Sequence, residues 1–374
     1  MEANPTFTIS TGPGGGACLG APPFNPGFSA GTQSSAANSY SPLSMRITRS
    51  DGEADITRLD ATLPPGLVAK IAGVARCSDA DLAAAEAKSG SAELASPSCP
   101  ASSQIGRIEA GAGTGSELVY VGGRAYLAGP YNGSQLSVAV ITPAVAGPFD
   151  LGTVVIRQGL RLNPISGRAE IDGSGPESQI PTILEGVPLH LRDLRVFVDR
   201  PDFTLNATNC NPLATQATLW SGASAFGATD RYQASNCGAL GYKPKLTLKL
   251  LGATKRGKFP SVRSTLIPRQ GDANTASAVV TMPPSVQIEN AHINNPCTRV
   301  QFDAGACPPK SILGNARAYS PLLDQPLEGP VYFRSNGGER ELPDLVADLN
   351  GTFRIILVGF IDSSGKRLRT TFAD

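Results

Sequence analysis

The sequence predicts an all-β protein: tandem immunoglobulin-like β-sandwich units with local disulfides and one short inserted helix. Three observations predict it. Apolar residues alternate over strand-length runs, and turn residues break those runs roughly every eight to twelve positions. Glycine and proline supply 41 and 31 of the 374 residues, well above the usual share, which suits many tight turns. The chain also repeats itself: Cys99-Pro-Ala-Ser-Ser-Gln-Ile-Gly106 returns as Cys307-Pro-Pro-Lys-Ser-Ile-Leu-Gly314.

The repeat extends in both directions from that stretch. Cys18 matches Cys237, Leu63-Pro64-Pro65 matches Met282-Pro283-Pro284, and Cys77 matches Cys297. Gly123-Arg-Ala-Tyr-Leu127 matches Gly329-Pro-Val-Tyr-Phe333, and Gly167-Arg168 matches Gly365-Lys366. The offset shrinks along the chain, so the second copy has the shorter loops. The copies share Cys, Pro, Gly and apolar positions and almost no residue able to do chemistry, so the repeat preserves a scaffold. The register divides the chain into 1–17, the tail of a preceding unit; 18–236, a complete unit with subdomains at about 18–112 and 113–236; and 237–374, a partial second unit. It predicts an excerpt of a longer array whose partners are neighbouring units of the same parent chain.

Element by element, Phe28–Thr32, Leu43–Thr48 and Ile56–Leu63 read as strands, with Leu246–Leu250, Val262–Ile267 and Ala276–Met282 in the same places of the second copy. The double prolines end the third strand, since proline cannot donate to a ladder. Ser78–Lys88 is the one helical stretch, with capping-box spacing at Ser78 and Asp81 and an alanine-rich run. It has no helical counterpart in the shorter Cys297–Cys307 loop and reads as an insertion. Gly106–Ala110, Leu118–Leu127, Gln135–Ile141, Thr153–Leu162 and Arg168–Ile171 follow as strands. Val187, Leu189 and Leu191 alternate with Pro188, His190 and Arg192, and Leu194, Val196 and Val198 continue the pattern toward Phe203–Asn206.

Cysteine spacing offers the disulfides Cys77–Cys99, Cys210–Cys237 and Cys297–Cys307, with Cys18 unpaired. The rival reading, a zinc site, requires ligands paired more tightly than any two cysteines here. Disulfides imply an oxidising, extracellular setting.

The Cys99–Gly106 stretch, Leu63-Pro-Pro-Gly66 and Ala146-Gly-Pro-Phe-Asp-Leu-Gly152 together resemble large secreted repeat proteins of actinobacterial type, bacterial and uncharacterised in function. Leu184-Glu-Gly-Val-Pro-Leu189 and Asp199-Arg-Pro-Asp-Phe203 fit the same pattern. The resemblance implies secretion and tandem β-domains; it implies no activity and no site residues.

Candidate chemistry is sparse. A net charge of +1 carries no global nucleic-acid or membrane-surface signature, and no apolar run is long enough for a transmembrane helix. His190 lies on a polar strand face and His292 in a polar loop, with no Gly-x-Ser-x-Gly elbow to make either a catalytic base. Gly252-Ala-Thr-Lys-Arg-Gly-Lys258 matches most of a phosphate loop, but Phe259 stands where the magnesium-binding hydroxyl belongs and Pro260 opposes a helix. Asp51-Gly-Glu-Ala-Asp55 offers carboxylates without the alternation of a calcium loop. Lys243, Lys245, Lys249, Lys255, Arg256 and Lys258 form a basic cluster, read either as contacts to an anionic polymer or as solvated, edge-protecting lysines. Trp220 and Tyr232 read either as sugar-stacking rings or as core anchors. No catalytic residue, metal ligand or cofactor is predicted. The expected function is a structural or adhesive segment of a secreted or cell-surface protein; the alternative is a module binding cell-wall or environmental polysaccharide, and the third an extracellular enzyme part.

Overall fold

The computed structural model describes residues 22–252, 254–255, 257–365 and 367–373, together with 11, 15, 16 and 20. The first alternating runs form β1 (Gly27–Thr32), β2 (Leu43–Thr48), β3 (Arg58–Thr62) and β4 (Val68–Ala69). Helices α1 (Asp79–Glu86) and α2 (Gly90–Ala95) precede β5 (Gln104–Ala112), β6 (Val119–Ala128), β7 (Leu136–Ala146), β8 (Phe149–Leu162) and β9 (Ala169–Asp172). Next come β10 (Ile183–Leu184), β11 (Val187–Pro188), β12 (Leu191–Val198), β13 (Thr204–Leu205), β14 (Leu213–Ser221) and β15 (Ser224–Tyr232). Then follow β16 (Lys245–Leu251), β17 (Ser261–Ile267), β18 (Ser277–Thr281), α3 (Asn290–Ile293) and α4 (Arg299–Asp303). The last strands are β19 (Ile312–Ala318), β20 (Leu327–Arg334), β21 (Asp344–Leu349), β22 (Ile355–Ser364) and β23 (Arg367–Ala373).

The molecule is mostly β, and its larger sheet has eleven strands in the order β1-β2-β12-β5-β6-β7-β8-β9-β3-β14-β15. It curls until its ends meet: the Ala30 amide on β1 donates to the Asp230 carboxylate on β15 at 2.7 Å, and Ala36 bridges Ser235. The two-residue alternation of a strand places one face inward: Leu43, Met45 and Ile47 of β2 are buried, whereas Ser44, Arg46 and Thr48 face out. The interior is filled by Ile47, Leu59, Ala217 and Leu219 toward one end and by Ile105, Leu127, Leu136 and Phe203 toward the other.

This arrangement corrects the expected division at residue 112. Strand β12 lies between β2 and β5, and β3 lies between β9 and β14, so segments from both sides of that position alternate within one sheet. The run expected at Val187–Val198 is also interrupted, because His190 takes a left-handed conformation at φ 47° and separates β11 from β12.

The second sheet has the order β18-β23-β22-β21-β20-β19, and β3-β9-β8-β7-β6-β5 of the first sheet runs in the same sense. The two Cys-Pro stretches build one local structure. Cys77 N–H donates to Leu127 O and Cys297 N–H to Phe333 O, both at 2.8 Å. Ser103 Oγ bonds the Pro100 carbonyl and Ser311 Oγ the Pro308 carbonyl, both at 2.7 Å. A bulge follows each, at Gln104/Gly106 and at Ile312/Gly314. The disulfides are Cys77–Cys99, Cys210–Cys237 and Cys297–Cys307, the three pairs that the spacing offers. Cys18 lies outside the described residues.

The helix within the first Cys-Pro loop is not a lone insertion. Ser78 and Asp81 form the expected capping box at the start of α1, and Thr298 and Gln301 form the same box at the start of α4 inside Cys297–Cys307. Phe302 of α4 is buried beside Cys297 and Val346, as Leu82 and Ala85 of α1 are beside Cys77 and Ile141. The shorter loop hid its helix because it holds barely one turn, too little for periodicity to register. The two sheets share a seam where Phe353 and Leu323 join the Ile71 and Phe203 cluster. There the Ile71 and Ala72 amides donate to Leu322 O at 3.0 Å.

Candidate functional site

A polar cleft lies on the outside of the curled sheet, over β8, β9, β3, β14 and β15. Leu59 and Ala61 point to the core, so Arg58, Asp60 and Thr62 face out. On β14, Ala217 and Leu219 are buried, which turns Gln216, Thr218 and Trp220 outward. Register aligns Trp220 with Arg58, Thr218 with Asp60 and Gln216 with Thr62. On the far side Thr218 faces Gly227, whose missing side chain leaves the floor open. Arg161, Glu170 and Asp172 supply the opposite wall, and the cleft encloses about 510 Å³.

Its polar groups are held before any ligand arrives. Asp60 accepts from the Trp220 indole N–H at 2.8 Å and from the Gly173 amide at 2.8 Å, and pairs with the Arg58 guanidinium at 2.6 Å. Arg58 also lies 4.9 Å from the centre of the Trp220 ring, a cation–π contact. Arg161 pairs with Glu170 at 2.9 Å and reaches Asp172 at 3.6 Å. Burial opposes ionisation of Asp172, but hydrogen bonds from Ser174 and the nearby guanidiniums outweigh it and hold the carboxyl below its usual range. A proton-donating carboxyl needs the opposite shift. Fixed carboxylates, guanidiniums and hydroxyls beside an indole edge suit the hydrogen-bonding of a neutral, polyhydroxylated ligand.

A second outer-face cluster joins β2, β6 and β12. Asp193 is only 4% exposed and accepts from Arg46 at 2.9 and 3.0 Å, from Arg195 at 2.7 Å and from Tyr120 Oη at 2.8 Å. Desolvation alone would raise its pKa; the two guanidiniums and the phenol overcome that and bring it to about 2. The folded value lies below that of an unfolded aspartate, so the stabilisation is fully present above about pH 4 and is lost as pH falls toward 2. Asp193→Asn should lower stability at neutral pH by about 1–2 kcal/mol and flatten the acid limb between pH 4 and 2. Urea titrations across that range check both effects; an unchanged acid limb would show that other carboxylates carry it.

The remaining predicted residues are placed as follows. Tyr232 is a core residue, its hydroxyl donating to Asn206 Oδ1 at 3.1 Å and accepting from the Ala207 amide, whereas Trp220 is half-buried beside the cleft residues Arg58 and Asp60. Asp51 accepts from the Gly115 amide at 2.8 Å and Asp55 pairs with Arg49, so the acidic turn is engaged in loop closure. His190 Nδ1 lies 3.8 Å from Asp55, and His292 contacts the Lys310 carbonyl at 2.7 Å and Glu289 at 3.4 Å. Neither has a serine hydroxyl among its described partners. The phosphate-loop-like segment links β16 to β17, a strand and not a helix. Lys245 and Lys249 are exposed on β16, with Lys243 before it and Lys255 and Lys258 in the turn; Arg256 lies outside the described residues. The cleft residues Arg58, Asp60, Arg161, Glu170 and Asp172 escape sequence reading because each looks like an ordinary outward position of its own strand.

No match is found among protein-family models, curated proteins or solved structures. No helix among the described residues is long and apolar enough to cross a membrane.

Proposed function

We propose that the chain is a non-catalytic structural or adhesive segment of a secreted or cell-surface protein, assembled from tandem β-sandwich-like units of the kind found in secreted actinobacterial repeat proteins. The observation that carries this reading is the repeated scaffold of disulfide, capped helix and bulged strand at Cys77–Gly106 and Cys297–Gly314. Almost nothing but scaffolding recurs, and Cys77 and Cys297, bridged to Ala128 and Arg334, tie their loops to the sheet beside them. Such a segment supplies reach, rigidity and display, and it resists proteolysis outside the cell.

The cleft between Arg58 and Asp172 favours a second reading, a module that binds cell-wall or environmental polysaccharide. The two are separated by retention of the oxidised protein on insoluble glycans and bacterial cell walls at low and high salt. For the second reading, Gly227→Leu is the decisive variant. Gly227 has an ordinary φ and a Cβ there would meet nothing within 4 Å, so leucine fills the cleft floor without disturbing the fold. Salt-resistant retention that falls at least tenfold in Gly227→Leu would establish the glycan cleft. Retention abolished by salt in both proteins would implicate the lysines, and no retention anywhere would leave the structural role.

A further inference from the structure

The hairpin β16–β17 is amphipathic and uncovered. Leu246, Leu248, Leu250, Val262 and Leu266 share one face and are 40–50% exposed. Lys245, Lys249 and Arg263 share the other. In the first half the equivalent hairpin, β1–β2, buries its apolar face: Leu43 and Ile47, in the register of Val262 and Leu266, are 5% and 1% exposed. The sheet of the first half has three strands with no counterpart among the described residues of the second, β12, β14 and β15. There β12 pairs on one side with β2 and on the other with β5, joining hairpin and sheet, and it sets Leu194 against Ile47 and Val198 against Leu43. Among the described residues nothing pairs with the free edge of β17 or with that of β19.

A pair of glycines marks the same place. A Cβ on Gly106 of β5 would strike the Phe197 carbonyl of β12, so glycine there is required by the approach of that strand's backbone. Its counterpart in the second Cys-Pro stretch, Gly314 of β19, has no positive φ and nothing within 4 Å of where a Cβ would stand. The second sheet keeps the clearance without the strand that uses it.

We infer that the free edges of β17 and β19 take one added antiparallel β-strand, a polypeptide segment patterned like β12. Its inward residues are apolar, to cover Val262 and Leu266. Its outward face carries a carboxylate opposite Arg263, as Asp193 of β12 serves Arg46 of β2. The added strand repeats the pattern by which β12 joins β2 to β5, with main-chain bonds supplying affinity and alternate side chains supplying selectivity. The inference does not depend on the glycan reading.

The test appends a Gly/Ser linker and a second copy of residues 187–206, carrying Phe197→Glu to meet Arg263, after residue 374. The tether raises the effective concentration of the strand, and only the appended segment is altered. Amide exchange within 261–267 and 312–318 should slow at least tenfold. It should return to the untethered rate when the appended copy carries Leu194→Asp and Val196→Asp, and also when Gly314→Val blocks the approach. Unchanged exchange, or equal slowing with the aspartate-bearing copy, would overturn the inference. So would protection of the unextended chain that grows with its own concentration or with anionic vesicles, since a second copy or a lipid surface would then be the occupant.

Discussion

Replacing Cys77 and Cys99 together by alanine should lower the unfolding free energy by about 3 kcal/mol, as expected for a crosslink that closes a loop of this size. Both cysteines are almost fully buried, among Leu82, Ala85, Tyr126 and Ile141, and the loop they close holds both α1 and α2. The Cys77 amide still bonds Leu127 in the variant, so the loss falls on the unfolded ensemble and on packing around the sulfur atoms. Cys297–Cys307 spans 10 residues against 22, and the same loop-closure entropy makes its removal roughly 0.7 kcal/mol milder. Urea unfolding of the two double-alanine variants measures both values. A larger loss at the shorter loop would mean that packing, not loop entropy, sets the order.

Glycines inside the two sheets, each on a strand flanked on both sides, should give the next largest effect. A Cβ at Gly329 of β20 would fall on the Asp348 carbonyl of β21, and one at Gly123 of β6 would stand 2.7 Å from the Ile141 carbonyl and 2.8 Å from Ile108. Backbone in the middle of a sheet cannot move aside without breaking its ladder. Gly329→Ala and Gly123→Ala should therefore each cost about 2–3 kcal/mol, the former more. Gly122→Ala is the matched control, since its nearest neighbour would be 4.0 Å away, and it should stay within about 0.5 kcal/mol of the parent. Thermal or urea midpoints decide the matter; a neutral Gly329→Ala would mean that β20 and β21 separate more easily than their register implies.

These glycines show how much of the fold was legible. Gly123 and Gly329 stand out in the sequence because they recur in register, yet the reason for them is the neighbouring strand's carbonyl, which only the pairing reveals. Strand positions were readable because alternation is local: Leu43, Met45 and Ile47 declare a buried face whatever strand lies beside them. The disulfide partners were readable because Cys77–Cys99 recurs in register as Cys297–Cys307, and spacing leaves Cys210 for Cys237. The capping box at Ser78 was readable because four consecutive residues define it, whereas Thr298–Gln301 sits in a loop too short for a helical period to show.

The candidate site was the least legible part. Trp220 stands out as a lone indole, but its partners Arg58 and Asp60 come from a strand far from it in the chain. No local pattern distinguishes an outward arginine in a cleft from one in open solvent. Tyr232 was noticed equally and proved to be core, since an aromatic residue in a strand is the same letter on either face.

The sequence by itself determined many of the strands, the apolar face of each of those and which cysteines pair, but it did not show β14 and β15. Only the tertiary structure decided that β12 inserts between β2 and β5, that the first half closes as one curled sheet, and that the apolar hairpin of the second half is uncovered. The physical reason is that strand pairing is made by backbone hydrogen bonds, which are the same for every sequence. The choice of neighbour is settled by which edges and apolar faces the whole chain leaves available.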